Sequence, residues 1–163
     1  MKKITFSLAI LFVLFAFTAC GSKSVQDTVS EELGIDASDG EEVSATDTHS
    51  GFHGDGVSSV ALSFSDLSVL DEIKGKAEWK AFPLDETVQA LVYGVNDETS
   101  SIGPFINDGN GNPLVREIQN GYYILIDRQE EKETDILERS SFNVTVGLYD
   151  TDTNTLYCCT LDT

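Results

Sequence analysis

The chain has 163 residues, with 10 Lys and Arg against 28 Asp and Glu and a formal net charge of −18. That length holds one domain and a short appendage, and the acidity excludes nucleic acid as a partner, because binding a polyanion needs basic side chains to displace its counterions. Three cysteines, two of them adjacent, exclude a disulfide framework.

The N-terminal element is an export signal. Lys2 and Lys3 precede an apolar run from Ile4 to Phe17, and Thr18-Ala19-Cys20-Gly21-Ser22 follows. The run is shorter than the ~20 apolar residues of a comfortable membrane span, and small residues flank a cleavage point. Phe17-Thr18-Ala19-Cys20 resembles the lipobox of bacterial lipoproteins, and the chain is similar in this respect to small lipoproteins of Gram-positive-type bacteria. The resemblance covers residues 1–22 and departs from the usual pattern at Phe17, where Leu is preferred. It implies removal of residues 1–19, a lipid on Cys20, and a location on the extracytoplasmic side of the cell membrane. Two acyl chains suffice for stable anchoring where one does not. Lys2 and Lys3 leave with the signal, so 8 basic residues face 28 acidic ones and the mature charge is −20.

Residues 20–50 read as an acidic, disordered tether. The stretch is rich in Ser, Thr, Gly and acids, lacks aromatic residues, and offers little apolar area to offset ordering entropy. Val25 to Leu33 holds at most a weak helical turn. The folded domain then spans residues 51–163. Val57 to Phe64 is a strand with Val60, Leu62 and Phe64 on one face. Ser65 or Asp66 caps a helix from Leu67 to Lys74, which Gly75 ends.

Glu86 to Tyr93 carries helical spacing (Val88, Leu91, Val92) and also strand-like alternation (Val88, Ala90, Val92); helix is preferred, after the acidic start at Asp85-Glu86. Residues 96–113 form a long connection with a dense turn signal from Asn107 to Pro113. Gly121 to Asp127 is the strongest strand. Arg128 to Arg139 is loop or a short helix near residues 134–139. Phe142 to Tyr149 and Thr155 to Leu161 form a β-hairpin around Asp150–Asn154. The expected fold is α+β: about four mainly antiparallel strands with two short helices against one face.

Candidate sites are few. Trp79, Phe82, Tyr93 and Phe105 can form an aromatic ledge for a sugar or peptide, or can be core. His49 and His53, with Asp47 and Asp55, hold ligand types suited to Zn²⁺ or Ni²⁺, but Gly51 interrupts any helix that would align them. Asp108/Asn110/Asn112 and Asp150/Asp152/Asn154 match the first half of a calcium loop and lack its later Gly and Glu, so Asx-turn chemistry accounts for them. In a strand, Cys158 and Cys159 point to opposite faces, one toward the core and one away. Arg116, Arg128 and Arg139 serve internal ion pairs in so acidic a domain. No catalytic motif, metal site or cofactor is expected. The reading is a lipid-anchored binding module for a protein, peptide or glycan; the alternative is a cell-envelope hydrolase working through Asp and Glu carboxylates.

Overall fold

The structure, a computed structural model, describes residues 23–49, 54–96 and 100–163. Its first element overturns the tether. Helix α1 spans Val25–Leu33. Ser24 accepts from the Asp27 N–H, and Asp27 accepts from the Ser24 N–H, so two otherwise unpaired donors are satisfied reciprocally. Gly34 closes the helix at φ 64°. Val29, Leu33, Ile35 and Ala37 are all buried. The Glu32 carboxylate accepts from the Thr145 hydroxyl at 2.9 Å, and Gln26 donates to the Gly40 carbonyl. Strand β1, Glu41–Asp47, then pairs antiparallel with β2, Gly56–Ser63, with a bulge between Glu42 and Ser44. Four apolar side chains suffice to fold this polar stretch because the sheet supplies the other half of their contacts.

Helix α2 is Ser68–Lys74, and Asp66 accepts from the Ser68 N–H and hydroxyl just before it. Strand β3 is only Lys80–Ala81. Helix α3, Glu86–Val92, settles the helix-or-strand ambiguity; its Asp85 cap accepts from the Val88 N–H. Short strands β4 (Val95–Asn96) and β5 (Ser101–Ile102) pair with each other inside the long connection. Strand β6 is Gly121–Asp127, a 3-10 turn covers Ile136–Glu138, and β7 (Asn143–Asp150) and β8 (Thr155–Asp162) form the hairpin.

Six strands, not four, make the main sheet, in the order β1-β2-β8-β7-β6-β3, every neighbouring pair antiparallel. The class is α+β, with three helices. Helices cover both faces rather than one. On the first face α1, α2 and Trp79 pack over Leu62, Ile124, Tyr149, Leu156 and Cys158. On the second, α3 and the segment around Ile106, Val115 and Ile118 pack over Tyr123, Val146, Leu148, Tyr157 and Cys159. Alternation along β8 thus sends the two cysteines to opposite layers as expected, but both layers are core and both thiols are buried and free.

One glycine explains how the first layer closes. A Cβ at Gly147 would lie 2.8–2.9 Å from Leu33, Ile124 and Trp79. The missing side chain in mid-β7 is the space into which the α1 and Trp79 side chains settle.

Candidate functional site

The four candidate aromatics do not form one ledge. Trp79 is 6% exposed and belongs to the first core layer; its indole N–H meets no acceptor among the described residues. Phe105 packs against Phe142 at 4.8 Å between ring centroids, in the second layer. Phe82 and Tyr93 come together instead on the wall of a groove of about 1030 Å³, which neither Trp79 nor Phe105 lines.

The groove lies where the sheet runs out. β3 pairs with β6 through only Lys80↔Tyr123 and Ala81↔Tyr122. The Phe82 N–H then donates to the Gly121 carbonyl at 3.0 Å, and the chain turns away through a cis Phe82–Pro83 bond. Asp85 ties three elements at this point. It caps α3, accepts from the Lys80 ammonium at 3.1 Å, and accepts from the Tyr123 hydroxyl. Burial raises the Asp85 pKa, but the Val88 N–H, Lys80 and Tyr123 outweigh it, and the net shift is downward. Phe82 stands edge-on to Tyr123, with centroids 6.0 Å apart and planes at 85°.

The lining draws on both layers. Leu70 comes from α2, Tyr122 from β6, Gln89 from α3, and Val115 and Ile118 from the long connection. Gly121 permits the close approach on the floor: a Cβ there would fall 2.0 Å from the Tyr149 carbonyl oxygen. The groove's polar side chains are held by the protein itself. Gln89 donates to the Gly94 carbonyl, Gln119 to the Glu117 carboxylate, and Asn120 to the Asp152 carboxylate. The Tyr93 hydroxyl donates to the Arg116 carbonyl at 2.8 Å, and the Thr151 hydroxyl to the Asn120 carbonyl. Burial pushes the Tyr93 pKa well up, so its phenol keeps its proton. Tyr122 and the three amides were not singled out in the sequence. Tyr122 alternates with core-facing Tyr123, a signal that marks two faces but not which one borders a groove.

The remaining candidates resolve into structure. Cys20 and His53 lie outside the described residues. His49 stands between two carboxylates, with Nδ1 2.7 Å from Asp47 Oδ1 and Nε2 3.2 Å from Asp162 Oδ2. Arg128 also binds Asp162, at 2.8 Å, so this cluster joins β1, β8 and the end of β6. Arg139 pairs with Asp127 at 2.8 Å, nearly buried. Asp108 accepts from the backbone N–H of Asn110 and Asn112 and from the Asn112 amide. These donors, the Asn112 amide first, hold its pKa down at about 2. Asp150 likewise accepts from the Asp152 N–H and the Thr153 hydroxyl. Both loops point their carboxylates at their own donors, as Asx turns do. Burial pushes the Cys159 thiol up to about 11, and the Cys158 thiol also up, so neither is a ready nucleophile.

Among the described residues, no group of three or more His, Cys, Asp or Glu is placed to hold a metal ion, and no helix is long and apolar enough to cross a membrane. Comparison with protein-family models, with curated proteins and with solved structures finds no match to this chain.

Proposed function

We propose that this protein is a lipid-anchored module of the extracytoplasmic membrane face that binds an extended ligand in the groove beside β3. The observation that carries the binding half is the groove itself. Aromatic and aliphatic walls from two core layers meet there, and its polar side chains are already oriented by hydrogen bonds to the protein. Such a surface loses little conformational freedom on binding, which is the usual source of useful affinity in a preformed site. The groups that titrate there fit binding better than turnover. Tyr93 keeps its proton on the Arg116 carbonyl, and the Glu117 carboxylate is engaged by Gln119. The export signal and Cys20 carry the anchoring half.

Two measurements test the halves separately. Intact-mass analysis of the natural protein extracted from membranes is expected to show a diacylated Cys20, and Cys20→Ala is expected to move it to the soluble fraction. Unchanged membrane association of that variant removes the anchor. For the groove, Phe82→Ala and Tyr122→Ala are expected to weaken ligand binding about tenfold, the scale of losing a contacting aromatic. Ligand recovered chemically altered replaces binding with catalysis.

A further inference from the structure

We infer that the groove takes a basic, donor-rich peptide segment, Lys or Arg alternating with apolar residues. This rests on the reading of the groove as a ligand site and adds the chemistry of the ligand. The argument starts from which way the lining amides face. Each of the Gln89, Gln119 and Asn120 nitrogens is held against a carbonyl or carboxylate oxygen, at 3.3, 2.9 and 3.0 Å. An oxygen can only accept, so these contacts fix the orientation of each amide. One N–H of each is engaged, and the side-chain carbonyl oxygen, with two lone pairs, is left over. The Tyr93 and Thr151 hydroxyls have also given their hydrogens to main-chain oxygens, leaving only acceptor lone pairs. Glu117 adds a carboxylate. Acceptors are therefore in excess across the polar lining.

A ligand that buries those oxygens must bring N–H groups, because a buried acceptor without a donor costs about 1–3 kcal/mol. Charge points the same way. The lining's one cation is Lys74, on α2, set against a chain of −18. That field draws cations and repels anions. The aromatic faces of Phe82, Tyr93 and Tyr122 suit the guanidinium or ammonium group of such a ligand, and the aliphatic wall of Leu70, Val115 and Ile118 suits its apolar residues. A peptide backbone supplies further N–H donors, which a polyamine or a bare cation lacks along an apolar stretch.

The experiment uses the full mature chain and fluorescence anisotropy with four probes: a labelled peptide of alternating arginine and leucine, its glutamate–leucine counterpart, a labelled neutral chito-oligosaccharide, and labelled spermine. The arginine–leucine peptide is expected to bind most tightly and to weaken with salt. Any acidic protein attracts a basic peptide, so location is tested with a charge-matched pair. Gln119→Lys and Glu130→Gln each raise the net charge by one; Gln119 and Glu130 are exposed, and Glu130 lies away from the groove. Gln119→Lys places a donor among the acceptors and is expected to cost about tenfold, whereas Glu130→Gln, screened by solvent, costs less than about twofold. Equal effects of the two overturn the proposal in favour of diffuse attraction. Tighter binding of the sugar or spermine, still lost in Tyr122→Ala, overturns the peptide and keeps the groove. If Tyr122→Ala changes the affinity of no probe, the groove reading itself falls.

Discussion

The two edges of the main sheet are finished in different ways. At one edge β1 runs for seven residues, every one exposed, and Glu41, Glu42 and Asp47 place charge along it. A bulge at Glu42/Ser44 adds a kink. Charge and bulges are how edge strands avoid pairing with other chains. At the other edge β3 stops after two residues, and the chain leaves the sheet at Pro83. One edge is blocked by what it carries; the other is open because the strand is missing. A surface that must stay unoccupied and one that is to be filled can thus share a single sheet.

This contrast can be broken by mutation. The largest effect is expected at the open edge, from Gly121→Ala. The new Cβ falls 2.0 Å from the Tyr149 carbonyl oxygen, and backbone must move, so a loss of about 4 kcal/mol is expected in urea unfolding. A loss under about 1 kcal/mol shows that the groove floor is slack. Next comes Leu33→Ala, which empties a core position under α1 and is expected to cost about 3 kcal/mol. It asks whether the β1 edge is truly fastened to the core; a neutral result returns residues 25–47 to the status of an appendage.

Asp85→Ala is a smaller step, about 1 kcal/mol for the lost cap, read as a shift in thermal midpoint. Its pH dependence has a definite sign. The folded pKa lies below the unfolded one, near 3.9. The contribution is therefore present above about pH 4 and lost as pH falls through the folded value. Wild-type and variant melting curves are expected to converge in strong acid, and a gap that persists there rules out the carboxylate as the cause. The smallest effect is at the blocked edge. Val43 is 61% exposed, so Val43→Lys is expected to change stability by less than about 0.5 kcal/mol and to reduce any self-association seen by sedimentation.

How far the sequence reveals this fold depends on how each element is stabilised. Gly121–Asp127 and the hairpin from Asn143 to Asp162 have one set of side chains for each of two core layers, and their alternation is plain. Glu86–Val92 is legible through its Asp85 cap. Residues 25–47 are not legible, because β1 buries nothing and has no alternation to read, and α1 contributes only Val29 and Leu33 to the core. The Ser24…Asp27 capping box was the available signal, outweighed by the acidic composition. The groove was half legible. Phe82 and Tyr93 are conspicuous as aromatics, but Trp79 and Phe105 are equally so. What separates them is Gly147, which makes room for Trp79, and Phe142, which covers Phe105. Both partners are distant in sequence.

The capped start of α1 sets a length. Ser24 is already fixed by its bonds to Asp27, so only three residues separate it from Cys20. Four Cα–Cα steps reach at most about 14 Å. With a lipid at Cys20, this is a short leash rather than a stalk, and the globule's standoff from the bilayer becomes an electrostatic matter. A body of charge −20 is pushed from an anionic leaflet over a screening distance of about 8 Å at physiological salt, comparable with the slack the leash allows. Ionic strength then acts as a height control, lifting the domain in dilute medium and letting it settle among the headgroups in brine.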